Sequence, residues 1–282
     1  MADHNYHIHI SSNHSLLNLN LKEVWQYRDL IALFTRKNFV LIYKQTILGP
    51  AWIILNPLIS SIIYAVVFGG IAGIATEGIP TLLFYLCSNA LWIFFSSCVS
   101  NNATAFTANA NVFGKVYFPR LTVPVSNVMS AIIHFGVQML LVLGVLAYYM
   151  IQGVVHPNWL AWLLVPVVLV QLGVLGLGTG IIVSSLTTKY RDLAILVTFG
   201  VQLWMYATPI VYPLSQLGDG LLRTIIMINP VTMPVELFRY AVLGCGAVNP
   251  LFWLLSWVVT ILIALVGVLL FNNIEKTFMD TV

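Results

Sequence analysis

The sequence predicts an all-α polytopic membrane protein of six transmembrane helices, and three observations carry that prediction. Hydrophobic residues make up 60% of the chain and charged residues only 7%. The acidic residues avoid every long apolar run. Asp3, Glu23 and Asp29 precede the first run; Glu77, Asp192, Asp219 and Glu236 sit in or beside connections; Glu275 and Asp280 close the tail. Lysine and arginine collect on alternate connections. A charge at the bilayer centre costs about 2.5 kcal/mol or more, so a chain that keeps carboxylates out of its apolar runs is suited to crossing lipid. Proton pumps, proton-coupled carriers and aspartyl intramembrane proteases usually work through a carboxylate within a span. The predicted spans offer none, so the source of energy is expected elsewhere.

Residues 1–20 are polar and lack the apolar core of a signal peptide, so they read as a flexible cytoplasmic leader. Its His4, His7, His9 and His14 read as solvated side chains rather than a metal site. Residues 21–35 read as an amphipathic helix lying in the cytoplasmic interface. Leu21, Val24, Trp25, Leu30, Ile31 and Phe34 recur at helical spacing, and Lys22, Glu23, Gln26 and Asp29 take the other face. Asn20 and Glu23 stand three apart, as in a capping box. Trp25, Tyr27 and Arg28 belong to this helix, the two aromatics at headgroup depth. A simple orientation anchor is the plainer reading of the same segment.

Residues 36–282 form the membrane domain. Its apolar runs are 51–73, 81–101, 123–150, 159–186, 193–212 and 251–271, each bounded by Pro, Gly, Asn or charge. Each is close to the roughly 20 residues that cross a bilayer as a helix. Lipid gives the backbone no partners, which requires helices, and continuous apolarity excludes the alternation of a barrel. Lys22, Arg28, Arg36, Lys37, Lys44, Lys115, Arg120, Lys189, Arg191 and Lys276 fall on one side, against Arg223 and Arg239 on the other. The positive-inside rule therefore places both termini in the cytoplasm. The net charge of +3 is mostly this orientation signal and implies no nucleic-acid partner. Cys87, Cys98 and Cys245 lack metal-ligand spacing and read as small packing residues. Gly176 and Gly180 make a small-xxx-small face for close helix packing. His134 and Gln138 lie one helical turn apart, as an interhelical hydrogen-bonding pair.

The connections hold the functional signals. Residues 104–124 exceed a minimal turn and carry an apolar cluster, Val112, Phe113, Val116, Tyr117 and Phe118, beside Lys115 and Arg120. An exposed apolar cluster rimmed by charge is a docking surface; the plainer reading rests its aromatics on lipid. Gly114-Lys115 has no glycine five residues earlier, and Val116 stands in place of Ser or Thr, so a phosphate-binding loop is absent. Residues 184–193 compress Lys189, Tyr190, Arg191 and Asp192 between two spans. Residues 213–250 lie on the outer side, with Pro213, Pro230, Pro234 and Pro250 as helix breakers and an apolar stretch at 234–243 suited to the outer interface. Glu236 and Arg239 share a helical face there. They are outer-gate candidates if the pair stands at a pore mouth, and an unremarkable surface pair otherwise.

Taken together, these blocks resemble the permease subunit of ABC-2-type exporters, in the branch that exports bacterial surface polysaccharides on lipid carriers. The resemblance runs from about Leu21 to Val282. It rests on YKQTILGPAWIILNP at 43–57, NVFGKVYFPRLTVP at 111–124, Tyr190-Arg191-Asp192-Leu193, Thr208-Pro209-Ile210, NPVTMPVELFRYAVLG at 229–244 and the tail 271–282. It implies two permease copies paired with two copies of a separate cytoplasmic ATPase subunit in a bacterial inner membrane. That partner binds ATP and Mg, and this chain needs no cofactor and has no catalytic residue or metal of its own. The ATPase-coupling residues implied are Asn111, Val112, Phe113, Lys115, Tyr117, Phe118, Pro119 and Arg120, with Tyr190, Arg191 and Asp192 as a second contact. Residues 21–35 become a gate helix at the cytoplasmic entrance.

On that reading the cargo is a lipid-linked polysaccharide, with O-antigen foremost, whose sugar threads between the two copies while its lipid stays in the bilayer. A sliding polymer needs many weak contacts, which aromatic faces supply against the C–H faces of sugars. Channel candidates are Tyr64, Phe68, Phe84, Tyr85, Trp92, Trp204 and Tyr206, set against the ordinary aromatic belt of membrane interfaces. The alternatives are an ABC-2 exporter of small lipophilic compounds, a membrane-embedded transferase acting on lipid-linked sugars, and a passive channel or scaffold.

Overall fold

The computed structural model describes residues 21–44, 46–113, 115–116, 118–187 and 192–281. The predicted all-α architecture is observed. Two helices, α1 (Leu21–Gln26) and α2 (Arg28–Tyr43), open the chain, so helix continues well past the expected end at residue 35. A short turn at Gly49–Ala51 leads into α3 (Trp52–Tyr64), which unwinds to a π-helical segment over Ala65–Ile71. Then come α4 (Thr81–Ala103), α5 (Ala105–Phe113), α6 (Thr122–Ile151), α7 (Val165–Thr187) and α8 (Leu193–Tyr206). The segment predicted to face outward holds α9 (Leu221–Ile228) and α10 (Thr232–Leu243), bent by 87° at their junction, before α11 (Pro250–Thr281).

Among the described residues, five helical stretches are long and apolar enough to cross a membrane: Gly49–Ile71, Thr81–Ala103, Thr122–Ile151, Ala161–Thr187 and Pro250–Phe271. The run at 193–212 is the exception. Its helix stops at Tyr206, and at about 1.5 Å per residue α8 is shorter than the hydrocarbon layer. Pro209 stands just beyond its end and prevents continuation. The non-helical residues that follow are shielded by protein: Thr208, Ile210 and Val211 are buried, which is how irregular backbone survives at membrane depth. Asn229 holds this stretch, donating through Nδ2 to Ala207 O at 3.0 Å and Thr208 Oγ1 at 2.9 Å.

α4 is the hub. It packs on α3, α6, α7, α8 and α10, and Leu83, Phe84, Tyr85, Leu86, Cys87, Ala90 and Leu91 have no exposed surface. Lipid offers no hydrophobic drive for helices to associate, so close van der Waals fit must hold the bundle. The glycines of α7 supply it on two faces. A Cβ on Gly176 would lie 2.5 Å from that of Cys98, and one on Gly180 would lie 2.8 Å from the Val99 carbonyl oxygen, both on α4. A Cβ on Gly178 would lie 3.0 Å from Ala264 Cα on α11. The predicted Gly176–Gly180 face is thus an α4–α7 seam, and Gly178 adds a second seam behind it.

Hydrogen bonds fix the register of these contacts. Asn127 of α6 donates to Asn101 O and Asn102 Oδ1 of α4, each at 3.1 Å, and accepts from Asn38 of α2 at 3.0 Å. Fully buried Gln171 of α7 donates to Ser256 of α11 at 2.7 Å and accepts from Trp253 Nε1 at 3.0 Å. Ser256 in turn donates to Pro230 O at 2.6 Å, tying the α9–α10 bend to the bundle. His134 stacks on Phe39 of α2, with centroids 5.4 Å apart.

Candidate functional site

On the face predicted to be cytoplasmic, one aromatic cluster gathers α1, α2, α5, α7 and α11. Phe113 lies 5.5 Å from Phe118, Phe118 lies 5.8 Å from Phe34 of α2, and Phe106 stacks on Phe271 at 5.0 Å between centroids. The expectation of an exposed apolar docking cluster at 112–118 is corrected here. Phe113 and Phe118 are buried, Val112 is half-buried, and Arg120 is buried with its guanidinium 6.0 Å from the Phe113 ring. These side chains anchor the loop, because aromatic rings gain more from packing on α2 than from solvent. Lys115 and Val116, the latter 60% exposed, form its outward tip. Pro119 is half-buried.

Tyr117, Tyr190 and Arg191 lie outside the described residues, as do Lys189 and the leader 1–20, and Asn111 is described only as helical backbone. Asp192 is exposed at the start of α8. On the preceding helices Val24 and Phe34 point into the cluster and Tyr27 packs against it. Trp25 and Arg28 face outward, Trp25 with 69% of its surface free.

Within the spans, α3, α4 and α8 enclose a cleft of about 620 Å³. It is polar for a membrane interior. Asn56, Ser60 and Tyr64 come from α3, Asn89, Trp92, Ser96 and Ser100 from α4, and Thr198, Gln202 and Tyr206 from α8. Each set repeats at three- to four-residue spacing, so each helix turns one polar stripe toward the same space. Asn89 pins two walls together, donating to Ser60 Oγ at 2.8 Å and to Ser61 Oγ at 3.2 Å. Tyr64 Oη lies 3.7 Å from Met205 Sδ across the cleft.

The seven aromatic channel candidates separate by position. Tyr64, Trp92 and Tyr206 line the cleft. Phe68 packs beside Tyr64 and Tyr85. Phe84 and Tyr85 are buried in the core, and Tyr85 donates to Val211 O at 3.2 Å. Trp204 sits on the other side of α8, against Phe95, with its Nε1 donating to Asn229 Oδ1 at 3.0 Å.

At the end predicted to face outward, Glu236 and Arg239 do pair, Nη1 to Oε1 at 2.8 Å, but neither has any exposed surface. Arg239 Nε donates to Ser88 of α4 at 2.8 Å, and its guanidinium lies 4.4 Å from the Phe84 ring centre. Glu236 Oε2 accepts from the Ala247 backbone N–H at 2.9 Å. This is a lock between α10 and α4 in a packed interior, not a pair standing at an open mouth. The carboxylate is buried in protein and neutralised by an arginine of its own helix.

A model of the ABC-2 type transporter family matches residues 29–243. The chain belongs to the ABC-2 type transporter family.

Among curated relatives of this ABC-2 protein, the O-antigen export system permease protein RfbA of Klebsiella pneumoniae is 28% identical over 254 residues, covering 89% of this chain and 94% of the relative. The protein of the same name from Myxococcus xanthus is 28% identical over 215 residues, covering 75% and 79%. The family match takes in α2 to α10, and so includes both the cleft and the loop tip. For this ABC-2 protein the aromatic candidates include three of the cleft's lining residues and none of its hydroxyl and amide groups other than the Tyr64 and Tyr206 hydroxyls. Their signal was present in the sequence as hydroxyl and amide residues spaced at helical intervals inside apolar runs.

Proposed function

We propose that this chain is the permease subunit of an ATP-driven exporter that moves a lipid-linked surface polysaccharide, O-antigen foremost, out of the cytoplasm. The observation that carries the reading is the polar, aromatic-edged cleft of α3, α4 and α8, which offers hydroxyl, amide and ring contacts within an otherwise apolar bundle. The names of the Klebsiella and Myxococcus relatives, and the near full-length coverage of the first, support the same cargo. Such a cleft holds sugars by many weak contacts, so a chain can slide. α3 is the least enclosed of the spans, which suits a wall completed by a second copy of this chain.

Energy comes from two copies of a separate ATPase subunit that hold ATP and Mg. They dock on the tip at Lys115 and Val116 and on the 189–192 connection, with both termini on the cytoplasmic side of the inner membrane. Closure of the ATPase pair moves these tips as rigid bodies and opens the path between permeases. The test is deletion of the gene, with complementation by a tagged copy. Surface polysaccharide is expected to vanish and return, and a mild-detergent purification is expected to retain a soluble P-loop protein. A deletion strain with normal surface glycan, or a folded chain that retains no ATPase, overturns the reading.

A further inference from the structure

The short helix α8 has a cavity on each side. Its front, at Thr198, Gln202 and Tyr206, faces the polar cleft; its rear, at Val197, Gly200 and Leu203, faces a second groove of about 570 Å³. Val201 borders both. The rear groove is open along one side and is lined as well by Val99 of α4, Ile182 of α7 and Ile263 of α11, and its size lies in the usual range of small-molecule sites.

Its lining offers almost nothing to a polar ligand. Thr179 spends its hydroxyl hydrogen on Leu175 O of its own helix at 2.8 Å. The Trp204 indole N–H is engaged by Asn229 at 3.0 Å, and the Ala207 carbonyl accepts from the same amide at 3.0 Å. Water, sugar and headgroup are therefore excluded by the cost of leaving their polar atoms unpaired. A hydrocarbon chain is not. Gly200 keeps the space open: a Cβ there would meet nothing within 4 Å, in contrast to the crowded glycines of α7. A helical glycine costs about 1 kcal/mol against alanine, and no close helix contact accounts for it at this position.

We propose that the rear groove seats the hydrocarbon chain of the lipid-linked glycan, so that the cargo straddles α8 with its lipid behind and its sugars in the polar cleft. The proposal rests on the exporter reading above. It commits to the carrier lipid because two chemically opposite cavities share one helix 14 residues long, and an amphipathic molecule with a chain joined to sugars matches both at once. The groove also lies along the half of α7 that leads to Thr187 and the 188–192 connection, the side from which a loaded carrier enters on that reading.

The probe is a polyprenyl phosphate carrying a diazirine near the end of its chain, compared with a diazirine-bearing phosphatidylethanolamine. Both are added to proteoliposomes of the complete transporter, and labelled residues are mapped by mass spectrometry. The polyprenyl probe is expected to label 179–183 and 197–207 in preference to the phospholipid probe. Gly200→Phe fills open space and is expected to lower that labelling about tenfold, the effect of withholding roughly two buried methylene groups. Gly200→Ala serves as the conservative control and is expected to keep it.

Equal labelling by both probes assigns the groove to ordinary bilayer lipid and overturns the proposal. So does unchanged labelling in a Gly200→Phe protein that elutes as the wild type does. Surface glycan measured with the same variants separates the two readings. Wild-type export without groove labelling removes the lipid seat and leaves the exporter standing. Groove labelling by the polyprenyl probe in a chain that exports no glycan keeps the seat and removes the exporter.

Discussion

Glu236 and Arg239 show what a charge needs in order to live inside this bundle. Each is fully enclosed, and each is answered by its partner and by a second group, Ser88 for the arginine and the Ala247 N–H for the glutamate. Removing one member strands the other, at a cost of about 3–5 kcal/mol, whereas replacing both with well-packed apolar residues costs far less. Arg239→Leu alone is therefore expected to lower the unfolding temperature sharply in detergent, and Glu236→Leu/Arg239→Leu to recover much of it. Thermal unfolding of the two singles and the double checks this. Gly180 makes the complementary point about space. Any side chain there meets Asn102 and the Val99 carbonyl, so Gly180→Leu is expected to cost about 1–3 kcal/mol or prevent assembly of α4 on α7, read as lost folded yield. Cys245, in the connection after α10, is held back by burial, which outweighs the lowering effect of Arg239 and pushes its thiol up to about 12. Its thiolate is scarce at pH 8, so maleimide labelling in the native protein is expected to be much slower than in the unfolded chain at the same pH.

The loop between α5 and α6 and the helix α8 each behave differently from what their composition announces. In the loop, aromatic residues serve as anchors and a valine as the tip. Val116→Asp is expected to abolish retention of the ATPase while leaving the stability within about 0.5 kcal/mol of wild type, as exposed substitutions usually do. Phe118→Asp is expected to lower both, because it buries a charge against Phe34 and Phe113. A pull-down read beside a melting curve distinguishes them. Sequence pattern located this loop through its charge and length, but periodicity does not say which side of a short helix will find a neighbour. α8 was misjudged for the opposite reason. Its apolar run continues to residue 212, while Pro209 ends the helix earlier, and composition outvoted the breaker. On its front face, Gln202→Leu and Tyr206→Ala remove cleft contacts without touching the core. They are expected to reduce surface glycan about tenfold, a loss of near 1.4 kcal/mol, with ATP hydrolysis retained.

At the level of the assembled bundle, most of the spans were legible because the bilayer imposes length and apolarity on every crossing helix, and those constraints are written residue by residue. Helix association was legible only where small residues marked it, at Gly176 and Gly180. The second seam through Gly178, the network around Asn127 and the meeting of three polar stripes depend on how the helices rotate, and no single run encodes rotation. The Glu236–Arg239 spacing was visible, and its burial was not, because burial is contributed by Ser88 and Phe84 some 150 residues earlier in the chain. That separation bears on how the protein is made. A chain synthesised from its N-terminus lays down α4 long before α10 emerges, so the site that receives the guanidinium already stands in the membrane when the arginine arrives. The α9–α10 bend is thus the keystone of biogenesis, set after the arch that holds it. Chains bearing Ser88→Leu should release the 236–239 segment to added protease while α4 remains inserted. Protection of that segment in such chains would show that it settles without its lodging.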